Sequence, residues 1–353
     1  LWTLVNRTDS TQSGVLLAID SRPGERCFDV VRGVEADPPV LSGAIAPRGI
    51  ACFVAAHDSA LGRDFPKFLR RQAEVHIGAD FKTSPPRIAT RLVSVVHAPR
   101  AQVPAGMAPI PAAAVDLEIE MRVRECGFYE STPPPGANLG DSYGFRVLHF
   151  QRAAAFHPFA LDITPVTNAA YAEFLRGSGY RPRHRARFLD HWLGGAPPSG
   201  KENHPVVYVD LDDARAFARW AGKRLPTEEE WQYAAQGGDG RKYPWGNQME
   251  PGKCNGGESG GTTPVTQFPG GRSPFGCYDM CGNVWEWTES ERSDGRTRFC
   301  ILRGGSHYEA PGSGWYAGGG PKPANFAEKF LLTWAGLDRC ATIGFRCAVD
   351  LQG

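Results

Sequence analysis

Asp279-Met-Cys-Gly-Asn-Val-Trp-Glu286 places two carboxylates around a glycine-containing turn. Such a turn can aim backbone carbonyls at the point the two side chains face. Hard oxygen donors of this kind suit Ca²⁺, which takes about six to eight of them. The competing reading is that both carboxylates only cap turns. Further along, His307 and Glu309 stand at i and i+2, a spacing that puts both on one side of a strand. A metal or acid–base pair is conceivable at that spacing, but no third ligand accompanies them and they are read as pocket lining. Ser306, Tyr308, Trp315 and Tyr316 surround them, followed by Gly318-Gly-Gly-Pro321. Aromatic rings among scattered polar groups suit recognition of a glycan or an extended peptide. Core packing is the alternative, and for Trp315 taken singly it is preferred. Glu228, Glu229 and Glu230 are three successive carboxylates in the first turn of a helix, where the dipole favours anions; that account is preferred to a catalytic one.

The elements that would position these residues can be read from caps and periodicity. Thr167 is a natural N-cap for a helix with Tyr171, Phe174 and Leu175 on one face, ended by Gly177 and Gly179. A second helix follows Asp210, carries Ala214, Phe217, Ala218 and Ala221 on one face and stops at Gly222. Thr227 and Glu230 make a capping box that buries Trp231, Ala234 and Ala235. The tryptophans of Tyr243-Pro-Trp-Gly and Trp285-Glu-Trp are read as core. Short apolar runs at 1–5, 14–19, 27–31 and 50–55, each bounded by turn residues, predict a small all-β sandwich. A short helix follows Asp64, with Pro66 restricted to its first turn. The Pro/Ala stretch from 98 to 114 reads as an extended linker. The domains are accordingly 1–97, a linker at 98–114, and 115–353.

The chain has 353 residues, a formal charge of +1, 42 glycines and 29 prolines. The near-neutral balance provides no electrostatic footprint for nucleic acid or an anionic membrane. No run of 18 apolar residues occurs, so no membrane helix is expected. Nine cysteines include no Cys-x-x-Cys pair, which argues against a four-cysteine zinc site. Disulfides would favour an exported protein; buried free thiols are an equal alternative. The chain begins at Leu1 rather than Met, as a fragment or processed product would, and a covalently linked upstream domain is expected.

Gly222-Lys-Arg-Leu-Pro-Thr-Glu-Glu-Glu-Trp231, Tyr243-Pro-Trp-Gly-Asn247, Gly282-Asn-Val-Trp-Glu-Trp287 with Arg303-Gly-Gly-Ser306, and Gly344-Phe-Arg-Cys347 occur in that order. Together, over roughly residues 105–350, they resemble the formylglycine-generating enzyme (sulfatase-modifying factor) family. The resemblance implies a C-terminal α+β, C-type-lectin-like, loop-rich fold. It also implies a structural calcium site made by the side chains of Asp279 and Glu286 and the carbonyls of Gly282 and Val284. A second family calcium site would begin at Asn255 and Gly256, with Glu258 its only acidic remnant. The family's copper oxidases carry two cysteines after Gly-Gly-Ser, and here Glu309 and Gly314 occupy those positions. Neither can hold Cu(I) as a thiolate, so copper is not expected. Iron-dependent relatives use His-x-x-x-His-x-Glu, which is absent, so iron is not expected either; His184 and His191 are read as surface or packing residues. Residues 1–97, with Val31-Arg-Gly-Val, more distantly resemble the β-sandwich accessory domain of some glycoside hydrolases. The function expected is a non-catalytic ligand-binding or structural module of a larger carbohydrate-active protein. The alternative is an oxidoreductase of the family with an unrecognised metal site, and a third is a maturation partner that docks a substrate protein.

Overall fold

The computed structural model describes residues 1–47, 49–78, 90–91, 98–122, 147–293, 298–308, 319–332 and 338–353, with the backbone alone at 77, 78, 90, 91 and 122. The chain divides into two compact units, Leu1–Pro86 and Arg87–Gly353.

The first unit contains strands β1 (Trp2–Val5), β2 (Gln12–Ala18), β3 (Arg26–Asp29), β4 (Val34–Ala36), β5 (Val40–Ile45) and β6 (Ile50–Ala56), then helices α1 (Asp58–Leu61) and α2 (Phe65–Gly78). One sheet has the order β1-β6-β3-β4, and β2 pairs with β5. Alternation decides which side chains turn inward: Cys27, Leu41, Ile45, Ala51 and Phe53 share one buried cluster with Ile19. The expectation of an all-β unit is corrected by α2, which runs 14 residues from Phe65. Pro66 sits in its first turn, where its missing N–H costs nothing, so the helix continues past it.

In the second unit the strands are β7 (Thr90–Arg91), β8 (Met107–Ile110), β9 (Ala113–Arg122), β10 (Val147–Phe156), β11 (Phe159–Asp162), β12 (Trp285–Ser293), β13 (Arg298–Arg303), β14 (Phe326–Leu331), β15 (Ile343–Phe345) and β16 (Ala348–Asp350); the helices are α3 (Asn168–Ser178), α4 (Leu211–Trp220) and α5 (Glu228–Gln236). The main sheet runs β10-β9-β14-β13-β12-β15, with β7 also on β12, and a three-stranded sheet runs β16-β11-β8. Both parallel and antiparallel pairs occur, β12 lying parallel to β15 and antiparallel to β13. The segment expected as a linker is therefore partly structural. Met107, Ala108 and Ile110 are buried where β8 pairs with β11, because the four prolines and several alanines of 98–114 do not prevent a short strand whose bulky residues have a core to enter.

The caps determine the helix ends as their chemistry requires. The Ala170 N–H donates to Thr167 Oγ1, and Gly179 ends α3 in the left-handed region. Gly177 instead lies inside the helix, where a Cβ would be 3.3 Å from the Trp220 ring. Asp210 and Asp213 form a reciprocal box on α4, as Thr227 and Glu230 do on α5. Tyr171 and Phe174 of α3 pack with Phe217 of α4 and with Trp287 and Phe345 of the sheet in one core cluster. Trp231 is fully buried in a second cluster under α5. Trp245 departs from expectation: it is only partly buried, stacks on Tyr243 at 5.5 Å and donates to the Gln248 carbonyl.

Candidate functional site

The turn between Tyr278 and β12 is built on backbone conformations that few side chains tolerate. Asp279 and Asn283 have φ of 54° and 61°, and Gly282 has 78°. A Cβ on Gly282 would lie 2.5 Å from the Asn255 carbonyl oxygen, so the close approach of the two loops requires glycine. Asn283 holds the turn together. Its N–H donates to the Asn255 carbonyl, its Nδ2 donates to Asp279 Oδ2 and the Thr263 carbonyl, and its Oδ1 accepts from the Thr263 N–H. Its own carbonyl accepts the N–H of His307. Sequence reasoning missed this residue, although an asparagine after glycine at the head of an apolar strand signals a left-handed turn position.

Asp279 is only 6 % exposed. Burial pushes its carboxyl up to about 7, against the Asn283 hydrogen bond and the nearby Arg346, with the charge of Glu286 adding to the rise. An under-compensated buried carboxylate of this kind fits a cation. Glu286 is in a different condition. Arg346 Nη2 donates to its Oε1 and Arg346 Nε to its Oε2, each at 2.7 Å, and Trp231 Nε1 donates to Oε2 at 2.9 Å. The family resemblance assigns Glu286 to the same calcium site as Asp279, and here its charge is neutralised by a guanidinium. Only Asp279 brings unneutralised negative charge to the turn. Gly282 and Val284 lie between them in the same turn, both buried. Among the described residues no three or more His, Cys, Asp or Glu side chains gather as a metal cage, so any cation here would depend on backbone oxygens as well.

The Asn255 loop is self-satisfied. Its Oδ1 accepts from Gly257 N–H and Ser259 Oγ, while Glu258 accepts the Gly256 N–H. These polar groups close a tight loop rather than converge on a second ion.

Arg303-Gly-Gly-Ser306 leads out of β13, and each glycine has a steric reason. A Cβ on Gly304 would meet the Trp231 ring at 3.2 Å, and one on Gly305 the Gly320 carbonyl at 2.4 Å. Ser306 is 1 % exposed, and its hydroxyl accepts the Tyr308 N–H at 3.3 Å. It is therefore a loop-shaping residue rather than a ligand contact. His307 is half-buried, and burial pulls its ring below the ordinary histidine range despite a contact with the Ala341 backbone. Tyr308 is 55 % exposed and offers a ring to solvent. Glu309, Gly314, Trp315 and Tyr316 lie outside the described residues.

The three acidic residues of α5 do more than oppose a helix dipole. Glu228 is completely buried and receives Arg292, Arg303 and Arg152 at 2.7, 2.7 and 2.8 Å. Burial works against its charge, but the three guanidiniums hold its carboxyl well below the usual range. Glu230 pairs with Arg224, which also reaches Asp350. His191 stacks on Tyr208 at 5.3 Å and is pushed by burial down to about 4, in keeping with a packing role.

This mixed-sheet, few-helix, loop-rich architecture, with its turn chemistry focused on Glu286 and Asn283, is that of a formylglycine-generating-enzyme-like domain. Residues 129–351 match the sulfatase-modifying factor enzyme 1-like domain, and the chain belongs to that family. It is 35% identical over 248 residues to the inactive C-alpha-formylglycine-generating enzyme 2 of Bos taurus, an overlap of 56% of this chain and 79% of the relative. With the formylglycine-generating enzyme of Streptomyces coelicolor it shares 32% identity over 272 residues, 57% of this chain and 85% of the relative. The solved structure of PvdO from Pseudomonas aeruginosa is similar at 23% identity and a TM-score of 0.47, covering 69% of this chain and 94% of that one.

Proposed function

We propose that the second unit is a non-catalytic ligand-binding module of the formylglycine-generating-enzyme family, with one structural Ca²⁺ at the Asp279 turn. The observation that carries the first part is chemical. Ser306-His-Tyr-Glu-Ala-Pro-Gly-Ser-Gly-Trp-Tyr316 contains no cysteine, so the two soft ligands that hold Cu(I) in the family's oxidases have no counterpart there. The similarity to a relative named as inactive supports the same reading. The buried, under-compensated Asp279 supports the cation, with Gly282, Val284 and Glu286 as the further oxygen donors that the family pattern assigns. When bound, the ion would neutralise Asp279 and stiffen the turn from which β12 starts.

The ligand proposed is a glycan or an extended peptide, received on the ring of Tyr308 with His307 supplying a polar contact. Aromatic contacts contribute on the order of 1 kcal/mol each beyond burial, so a single domain would bind weakly. In the wider protein, a C-type-lectin-like domain of this kind, carried in one chain with a β-rich first unit, would act as a carbohydrate-associated accessory. The test is to incubate copper-loaded protein with a cysteine-containing sulfatase peptide and to screen a glycan array with wild type and Tyr308→Ala. Retained array binding that Tyr308→Ala weakens, with the peptide cysteine unchanged by mass spectrometry, supports the module. Multiple-turnover conversion of cysteine to formylglycine would establish the oxidoreductase alternative instead.

A further inference from the structure

Cys254 and Cys281 sit on two loops that run side by side. Beyond the Asn283 N–H to Asn255 carbonyl bond, Asn255 Nδ2 donates to Asn283 Oδ1 at 3.2 Å. A Cβ built on Gly282 would lie 3.5 Å from the Cys254 Cβ. The two loops are thus in backbone contact immediately beside both cysteines. Both thiols are free, and their side chains lie near enough to interact. Both are buried, with 9 % of Cys254 and 1 % of Cys281 reaching solvent.

The other cysteines of this unit within the described residues face oxygen. Cys300 donates to the Thr288 carbonyl at 3.3 Å, and Cys340 contacts Thr342 Oγ1 at 3.3 Å. Cys277 faces Ser273, and Cys347 faces Asp162. Thiol-to-thiol placement is therefore a particular property of Cys254 and Cys281. It unites the Asn255 loop and the Asp279–Glu286 turn, which otherwise depend on asparagine hydrogen bonds.

We propose that Cys254 and Cys281 are a disulfide-forming pair, a redox modification site that staples these two loops together. The oxidant is a small-molecule disulfide such as oxidised glutathione. Cys254, the more accessible thiol, loses its proton and attacks one sulfur of the oxidant, whose other half leaves as a thiol. Cys281 then loses its proton and attacks the Cys254 sulfur of the mixed disulfide, expelling the second half as a thiol. Two cysteine thiols lose two hydrogens and two electrons, and the oxidant disulfide is reduced to two thiols. The product needs Cβ atoms about 3.5–4.5 Å apart, a separation that adjacent loops in this contact can supply with small adjustments. Closing a loop between distant positions restricts the unfolded chain, so the oxidised form is the more stable.

The test uses the full chain, refolded from the reduced, denatured state in a glutathione redox buffer or under excess reductant. Free thiols are blocked with an alkylating agent and the digest is mapped without reduction. The expected result is a cross-linked peptide joining Cys254 to Cys281. It is lost in Cys254→Ser and in Cys281→Ser and retained in Cys277→Ser. Wild type should melt several degrees higher oxidised than reduced, while Cys254→Ser melts alike in both buffers. Alkylation of both residues after oxidative refolding, or a link from either to a different cysteine, overturns the proposal. So does an equal shift in Cys254→Ser. Should the serine variants fail to fold, the wild-type peptide map alone decides.

Discussion

Arg346 meets the carboxylate of Glu286 through two hydrogen bonds of 2.7 Å, and neither side chain has any exposure to solvent. Trp231 donates to the same carboxylate. Three of the motifs thus converge on one buried anion: the α5 entry, the start of β12, and Gly344-Phe-Arg. Arg346 also donates to the carbonyls of Asp162 and Tyr278, which anchors the end of β11 to the turn that carries Asp279.

Removing one partner of such a pair leaves an uncompensated buried charge, a loss typically about 3–5 kcal/mol. Arg346→Met should lower stability by that order in urea titration. The double variant with Glu286→Gln should recover part of the loss, because no lone carboxylate remains. A cost below about 1 kcal/mol for Arg346→Met alone would show that the pair is not structural.

The Glu228 cluster predicts the acid limb of stability. Its folded carboxyl is depressed, so its contribution is fully present above the unfolded value of roughly 4.3 and lost as pH falls through the folded value. Glu228→Gln should be destabilised at pH 7, because Arg292 and Arg303 lose their shared anion. It should also lose stability less steeply than wild type as the pH is lowered below about 4. Denaturant midpoints at neutral and acid pH check both; parallel curves for the two proteins would refute the assignment.

Calcium should raise the melting temperature of wild type, with a chelator reversing the change. Asp279→Ala should abolish that response, since Asp279 brings the only unneutralised carboxylate to the turn. Because Arg346 offsets the charge of Glu286, the affinity should be modest relative to a site where both carboxylates are unpaired. Metal analysis after dialysis, with calorimetric titration, gives the stoichiometry. A wild-type protein indifferent to calcium would remove the ion from the proposal.

Gly305→Ala tests the loop geometry. Its φ of 78° and the 2.4 Å approach to the Gly320 carbonyl leave no space for a methyl group without moving backbone. A destabilisation of about 1–3 kcal/mol is expected. Gly194→Ala, at φ 61° with nothing near its Cβ, provides the comparison for strain without collision.

Local chemistry made much of the second unit legible in the chain. Thr167, Asp210 and Thr227 each carry a side-chain acceptor at a helix start, and an orphan amide finds that acceptor wherever the helix is placed. The ordered motifs identified the family and the turn at Asp279 for the same reason: each is a short-range requirement for a left-handed residue, a glycine or a cap. Tertiary structure decided what the charged residues do. Glu228 reads as a dipole complement in sequence, but three arginines from β10, β12 and β13 reach it. Glu286 reads as a cation ligand, but Arg346 arrives beside it only when β15 lies parallel to β12. Met107 and Ile110 resemble a linker until β11 supplies a pairing edge. A buried charge takes its role from partners brought by other strands, and residue spacing along one segment carries no information about those partners.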